Sequence, residues 1–217
     1  MTTKWNGVLW TANNQRALPT CAAFDATLRD GGGGDDIFTA CRENPLGVAL
    51  YHIPTIEWID GLAAWIRARG ARRVLEIGAG DGFVSHLLRE RLANVKVIAQ
   101  DNRSWPTTRT LYPPVVEAGD LEDCTLGCVE TARLFRPDLI LWVWAPMGTC
   151  GAALLPHCDD YLLVGEGQDG CTGGFPGDRE PLQNAALEVL DNFARCRTDY
   201  YDMLHTVHYL YAGTAQR

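Results

Sequence analysis

The feature that most constrains this chain is an alternation that begins at Arg72. Unbroken apolar runs, "RRVLEI", "VKVIAQD", "DLILWVW" and "DYLLVGEG", are separated by "FVSHLLRERLA", "CTLGCVETARLF" and "GAALLPHC", which have helical spacing. "TTRTLY" reads as a short helical stretch and "PPVVEAG" as a short strand. Strands with no polar alternation must be covered on both faces, which is the pattern of a parallel sheet between two layers of helices. Ahead of this region, "PTIEWIDGLAAWIRARG" puts Ile56, Ile59, Leu62, Ala63 and Ile66 on one helical stripe, with Gly70 as the stop. Behind it, "EPLQNAALEVLDNFA" reads as a helix, followed by two extended segments, "RCRTDYYDML" and "TVHYLYA". Their short connection leaves no room for a crossover, so they must pair antiparallel. The expectation is an α/β fold with a doubly wound, seven-stranded, mostly parallel sheet, the last strand antiparallel and helices on both faces.

At 217 residues and 47% hydrophobic, the chain suits one domain with a full core. Residues 1–50 read as an N-terminal lid or cap segment with a flexible "DGGGGDD" loop, and 51–217 as the ligand-binding domain. The formal charge is −8, and no run of Lys and Arg is interleaved with aromatics, so nucleic acid is not an expected partner. Eight cysteines occur without a CxxC pair, and Cys124 and Cys128 lack the further ligands that a zinc site needs. No apolar stretch approaches the roughly 20 residues of a membrane span, and the N-terminus has no long apolar signal region. A cytoplasmic location with reduced cysteines, no membrane partner and no bound metal is the simplest expectation; a homodimer stays open.

The decisive stretch is "VLEIGAGDG", Val74 to Gly82. In open α/β sheets, ligands sit beyond the carboxyl ends of the strands, where the strand order reverses. The nicotinamide fingerprint is GxGxxG with an acid about 20 residues further on. Here the glycines, Gly78, Gly80 and Gly82, are spaced GxGxG, and an acid, Glu76, precedes them. The next strand ends at Asp101, and the third runs into "EAGDLED" with Asp120. A pyrophosphate beside Glu76 would be repelled, whereas a ligand with a sulfonium and an ammonium would be attracted.

This set resembles the class I S-adenosylmethionine-dependent methyltransferases over about residues 50–212, most specifically at "VLEIGAGDG" and also at "VIAQDN" and "AGD". The resemblance implies S-adenosyl-L-methionine as cofactor. Glu76 would brace the loop or meet the ammonium end of the donor. The backbone of Gly78, Ala79 and Gly80 would pass against its methionine and sugar, and Gly82 would belong to the same donor-binding turn. Asp101 would accept from both ribose hydroxyls, which suits a bidentate carboxylate, and Asn102 would flank the adenine. Asp120 would accept from the adenine amino group, with Gly119 and Leu121 lining the ring.

The acceptor site is expected at the ends of the fourth and fifth strands and under the N-terminal segment. "WVWAPMG" offers no amide or acid for exocyclic-amine methylation of bases, and no aspartate to hold magnesium, so a metal-independent reaction is expected. Trp142 and Trp144 share strand parity; Trp142 reads as core, and Trp144 either packs or lines the donor pocket. In "VGEGQDG", Glu166 either orients the acceptor or is a solvated loop acid. His52, with Tyr51, is the histidine best placed to serve as a base. Methyl transfer to a neutral amine or thiolate needs alignment rather than a base, and alignment is worth roughly 7–11 kcal/mol. A chain of 217 residues leaves little beyond the core for recognising a large partner, so a small organic acceptor is expected. The competing readings are a protein or peptide amine methyltransferase and a catalytically silent binding protein of the same fold.

Overall fold

The computed structural model describes residues 5–30, 39–48, 50, 52–103, 109–117, 124–144, 152–158, 160–165, 186–190 and 207–212. In chain order the named elements are α1 (Cys21–Asp30), α2 (Ile56–Ala68), β1 (Arg73–Ile77), α3 (Phe83–Arg91), β2 (Lys96–Asp101), β3 (Val115–Glu117), α4 (Cys124–Phe135), β4 (Leu139–Val143), a 3-10 helix (Ala152–His157), β5 (Asp160–Gly165), β6 (Ala186–Leu190) and β7 (Val207–Ala212).

The strands lie in the order β3-β2-β1-β4-β5-β7-β6. The first five are mutually parallel, with Glu76 of β1 in register with Ala99 of β2 and Leu141 of β4. β7 runs antiparallel to both β5 and β6. The order reverses between β1 and β4, so the crevice beyond their carboxyl ends lies directly over the glycine turn.

Period-two packing divides the core into two layers. Val74, Leu139, Leu141, Leu162 and Val164 face α2 and α3, meeting Trp58, Ile59, Leu62, Ile66, Leu87 and Leu88. The alternate residues, Leu75, Ile77, Ile140, Trp142, Tyr161 and Leu163, meet Ala132 and Phe135 of α4 and Leu154 of the 3-10 helix. Each of these large side chains contributes about 1.5–3 kcal/mol by leaving water. α2 starts where Thr55 accepts the Trp58 amide at 3.2 Å and stops before Gly70, at φ +71°.

The N-terminal segment has an apolar cluster of its own. Trp5, Leu9, Trp10, Phe24, Cys41, Leu46, Val48, Leu50 and Ile53 pack together, with the Trp5 and Phe24 rings 6.0 Å apart. The glycine run at 31–34 lies outside the described residues.

Two elements differ from the sequence expectation. Ala186–Leu190, read as the middle of a helix, is β6: its backbone groups pair with β7, and that ladder overrides the helical spacing of a short apolar run. Residues 109–112 of the "TTRTLY" stretch are not helical. The Leu111 and Tyr112 amides donate to the Asp81 carbonyl, at 3.1 and 2.9 Å, instead of to their own helix, and Pro113 disfavours the helical region for the residue before it.

Candidate active site

β1 ends at Ile77, and the chain then turns through three glycines, all with positive φ: Gly78 at +63°, Gly80 at +56° and Gly82 at +86°. A side chain on Gly82 would stand 2.5 Å from the Tyr112 carbonyl oxygen and 2.7 Å from Val115, so only glycine fits there. At Gly78 a Cβ would lie 3.3 Å from the Trp142 indole nitrogen, whereas at Gly80 it would enter open space. The turn therefore rests on Trp142 and on the 112–115 segment, and the Gly78 backbone is exposed.

Asp101, at the tip of β2, is joined to this turn. Its Oδ2 accepts the Gly80 amide at 2.8 Å and its Oδ1 accepts the Arg103 amide at 2.7 Å. A carboxylate has about four lone-pair positions, so one on each oxygen remains for two hydroxyls. The Arg103 side chain folds back over the turn, donating Nη1 to the Gly80 carbonyl at 2.7 Å and Nη2 to Thr110, with Nη1 3.9 Å from Asp101 Oδ1. Asn102, half-buried, follows directly.

Glu76 faces the α2–α3 side of the sheet, where only 3% of it is exposed, and its Oε2 accepts the Ser85 hydroxyl of α3. This contact ties the end of β1 to α3. Burial pushes its carboxyl up to about 7, with Asp81 adding to the rise and the Ser85 hydrogen bond and Arg89 opposing it. A carboxyl raised in this way carries less charge at neutral pH than a plain glutamate, so its repulsion of a phosphate is weaker.

A stronger constraint on phosphate comes from Asp81, which the sequence reading left without a role. α3 begins at Phe83 with Gly82 as its N-cap, and the anion seat at its N-terminus is taken by the chain itself, since the Phe83 amide donates to Asp81 Oδ1 at 3.2 Å. The Asp81 carboxylate is also gripped by Arg16, whose Nη1 lies 3.1 Å from both oxygens, with side-chain exposures of 7% for Arg16 and 9% for Asp81.

Trp144 and Trp142 do not share a face. Trp144 has φ +60°, its amide donates to the Val164 carbonyl at 2.7 Å, and its ring joins the α2–α3 cluster. Strand parity does not extend to Trp144, because the extended backbone ends at Val143. Trp142, in the α4 cluster, is the tryptophan beneath the glycine turn. His52 is 6% exposed, its ring 4.4 Å from that of Trp58, and its carbonyl accepts from Arg16 Nη2 at 2.9 Å. Ala79 is buried in the turn, and its amide donates to the Gln100 carbonyl at 3.0 Å. Tyr51, Gly119, Asp120, Leu121 and Glu166 lie outside the described residues.

Sequence reasoning missed Arg16 and Arg103. Arg103 had one weak signal, its place two residues after the strand-end acid; Arg16 had none, being 65 residues from its partner. Among the described residues no group of three or more His, Cys, Asp or Glu converges as a metal set, and no helix is long and apolar enough to cross a membrane.

No protein-family model and no curated protein matches the chain. Several solved structures are similar in shape. One from Staphylococcus aureus, described as a caffeoyl-CoA O-methyltransferase, is 12% identical, with 87% of this chain and 96% of that one covered at a TM-score of 0.46. One from Klebsiella pneumoniae, described as an O-methyltransferase, is also 12% identical, with 89% and 97% covered at 0.47. A cofactor-bound protein from MTB is 13% identical, with 89% and 98% covered at 0.46.

Proposed function

We propose that this chain is an S-adenosylmethionine-dependent methyltransferase acting on a small organic acceptor, with the glycine turn and Asp101 as its donor site. The observation that carries this reading is the way the turn is finished. Asp81 fills the helix-terminal seat that a diphosphate would need, while Asp101 keeps a lone pair on each oxygen for two vicinal hydroxyls. That combination suits an adenosyl group without phosphates.

When bound, the donor supplies a methyl carbon on a sulfonium; the acceptor's lone pair forms the new bond as the carbon–sulfur bond breaks, and that electron pair stays on sulfur. The chain's own part is to bind and align. Asp101 would hold the sugar and the backbone of Gly78 to Gly80 would run along it, on a turn where a side chain added at Gly80 would meet nothing within 4 Å. Asn102, Gly119, Asp120 and Leu121 are assigned to the adenine. Acceptor contacts fall to Glu166 and to the segment containing Tyr51 and His52, with a base required only for a hydroxyl acceptor. "WVWAPMG" carries no acid at the fourth strand end, which supports a metal-independent reaction. The seven-stranded, doubly wound sheet, a lid formed by residues 1–50 and a cytoplasmic location belong to the same reading.

Calorimetry with S-adenosylmethionine and S-adenosylhomocysteine, against NAD as control, tests the donor site. Micromolar binding of the first two is expected; binding of NAD alone would overturn the assignment. Labelled donor incubated with a small-molecule extract and, separately, with peptides then identifies the acceptor. Label confined to peptides would favour a protein amine substrate, and no transfer to either would favour a silent binding protein.

A further inference from the structure

Arg16 lies far outside the glycine turn in sequence, yet it is built into the turn. Its guanidinium grips the Asp81 carboxylate, donates to the His52 carbonyl at 2.9 Å and stacks 4.2 Å above the Phe83 ring at the start of α3. Its backbone amide donates to the Tyr112 hydroxyl at 2.9 Å. Asp81 in turn holds the first amide of α3 with its side chain and the amides of Leu111 and Tyr112 with its carbonyl. One residue of the N-terminal segment thus reaches β1's turn, α3, the 109–112 segment and the start of the chain leading into α2.

The 109–112 segment makes a second bridge. Arg109 donates to the Leu46 carbonyl, and Leu111 packs on the N-terminal apolar cluster. Thr110 accepts from Arg103, which also holds Gly80. Two routes, Arg16–Asp81 and Leu46–Arg109–Thr110–Arg103, therefore join the N-terminal segment to the residues that flank Asp101.

We infer that Arg16 is a positioning residue for the donor site: through Asp81 it sets the glycine turn, so that docking of the N-terminal segment and binding of the donor are one coupled equilibrium. This rests on the methyl-donor reading. Without Arg16, Asp81 keeps a buried, uncompensated charge at the α3 terminus and the turn loses its fixed side. Because coupling between sites is reciprocal, the donor must tighten the N-terminal segment by the factor by which docking of that segment tightens the donor.

The test compares wild type, Arg16→Lys, Arg16→Ala, Asp81→Ala and the double Ala variant, full-length, at a temperature well below each thermal midpoint. S-adenosylhomocysteine affinity is read by calorimetry, and amide exchange of residues 5–19 is read with and without that ligand. Arg16→Ala is expected to weaken binding at least tenfold. Arg16→Lys should recover part of the loss, and the double variant should lose much less than the sum of the singles. In wild type, ligand should slow exchange in residues 5–19, and that effect should vanish in Arg16→Ala. If wild type binds the ligand and folded Arg16→Lys and Arg16→Ala bind it equally well, with ligand-independent exchange in 5–19, the inference falls while the donor site stands. If wild type binds neither S-adenosylmethionine nor S-adenosylhomocysteine, the donor site falls and the inference with it.

Discussion

The Gly80 amide and the Asp101 carboxylate are 2.8 Å apart, donor to Oδ2, so the turn after β1 and the tip of β2 form one unit. Parallel pairing of these neighbouring strands brings their carboxyl ends together, and the hydrogen bond then fixes the acid against the turn before any ligand arrives. Preorganisation of this kind reduces what a ligand must spend on ordering the site.

Asp101→Ala should therefore abolish measurable donor binding. Losing two hydrogen bonds to a charged acceptor, at about 1.5–3 kcal/mol each, weakens affinity by about 100-fold or more. Asp101→Asn keeps an acceptor for Gly80 and should bind more weakly than wild type but more tightly than Ala. Calorimetry in the low-micromolar range checks both.

The two later glycines of the turn should respond differently to alanine. Gly80→Ala meets only the strain of a positive φ, about 1–2 kcal/mol, because nothing stands within 4 Å. Gly82→Ala adds a clash with the Tyr112 carbonyl and should cost about 3 kcal/mol or more. Urea unfolding of the two variants would show the difference directly; equal losses would mean the 112–115 segment yields easily.

Glu76 predicts a pH dependence of stability. Its carboxyl is raised by burial to about 7 in the folded chain from an ordinary 4.5, so the folded state binds the extra proton between those values. Its stabilising contribution is complete below about 4.5, declines as pH rises and is lost above about 7, a change on the order of 3 kcal/mol. Glu76→Gln, which stays neutral and can still accept from Ser85, should flatten that part of the stability profile. An unchanged slope in chemical denaturation between pH 4.5 and 7 would show that Glu76 does not carry it.

Cys41 reports on the N-terminal segment. Burial pushes its thiol up to about 12, with the Arg16 charge opposing the rise, so thiolate is scarce at pH 8. Alkylation followed by peptide mass mapping should find Cys41 among the last cysteines modified in the folded chain. Rapid labelling under native conditions would show that the 5–53 cluster opens readily.

Much of the sheet was legible because apolar runs and helical spacing are local signals. β1, β2, β4 and β5 stand where "RRVLEI", "VKVIAQD", "DLILWVW" and "DYLLVGEG" placed them, and α2 to α4 follow their periodicity. β6 was not legible, because a five-residue segment such as "ALEVL" takes its state from whether a strand edge is available beside it. Trp144 was misplaced for a related reason: side-chain parity holds only while the backbone stays extended, and a positive φ ends that one residue beyond β4.

By itself the sequence determined the glycine turn, since three positive-φ positions within five residues admit little else, and it determined the acid at the next strand tip. Only the tertiary structure decided what the turn rests on and which charges surround it. Trp142 beneath Gly78 and Arg16 on Asp81 join residues distant in the chain, Ser85 on Glu76 ties β1 to α3 across the turn, and no local pattern encodes the partner of a buried charge. Such a charge is tolerated only when folding brings its counterpart to it, because the cost of leaving it unpaired is set by the surrounding low-polarity core rather than by its neighbours in sequence.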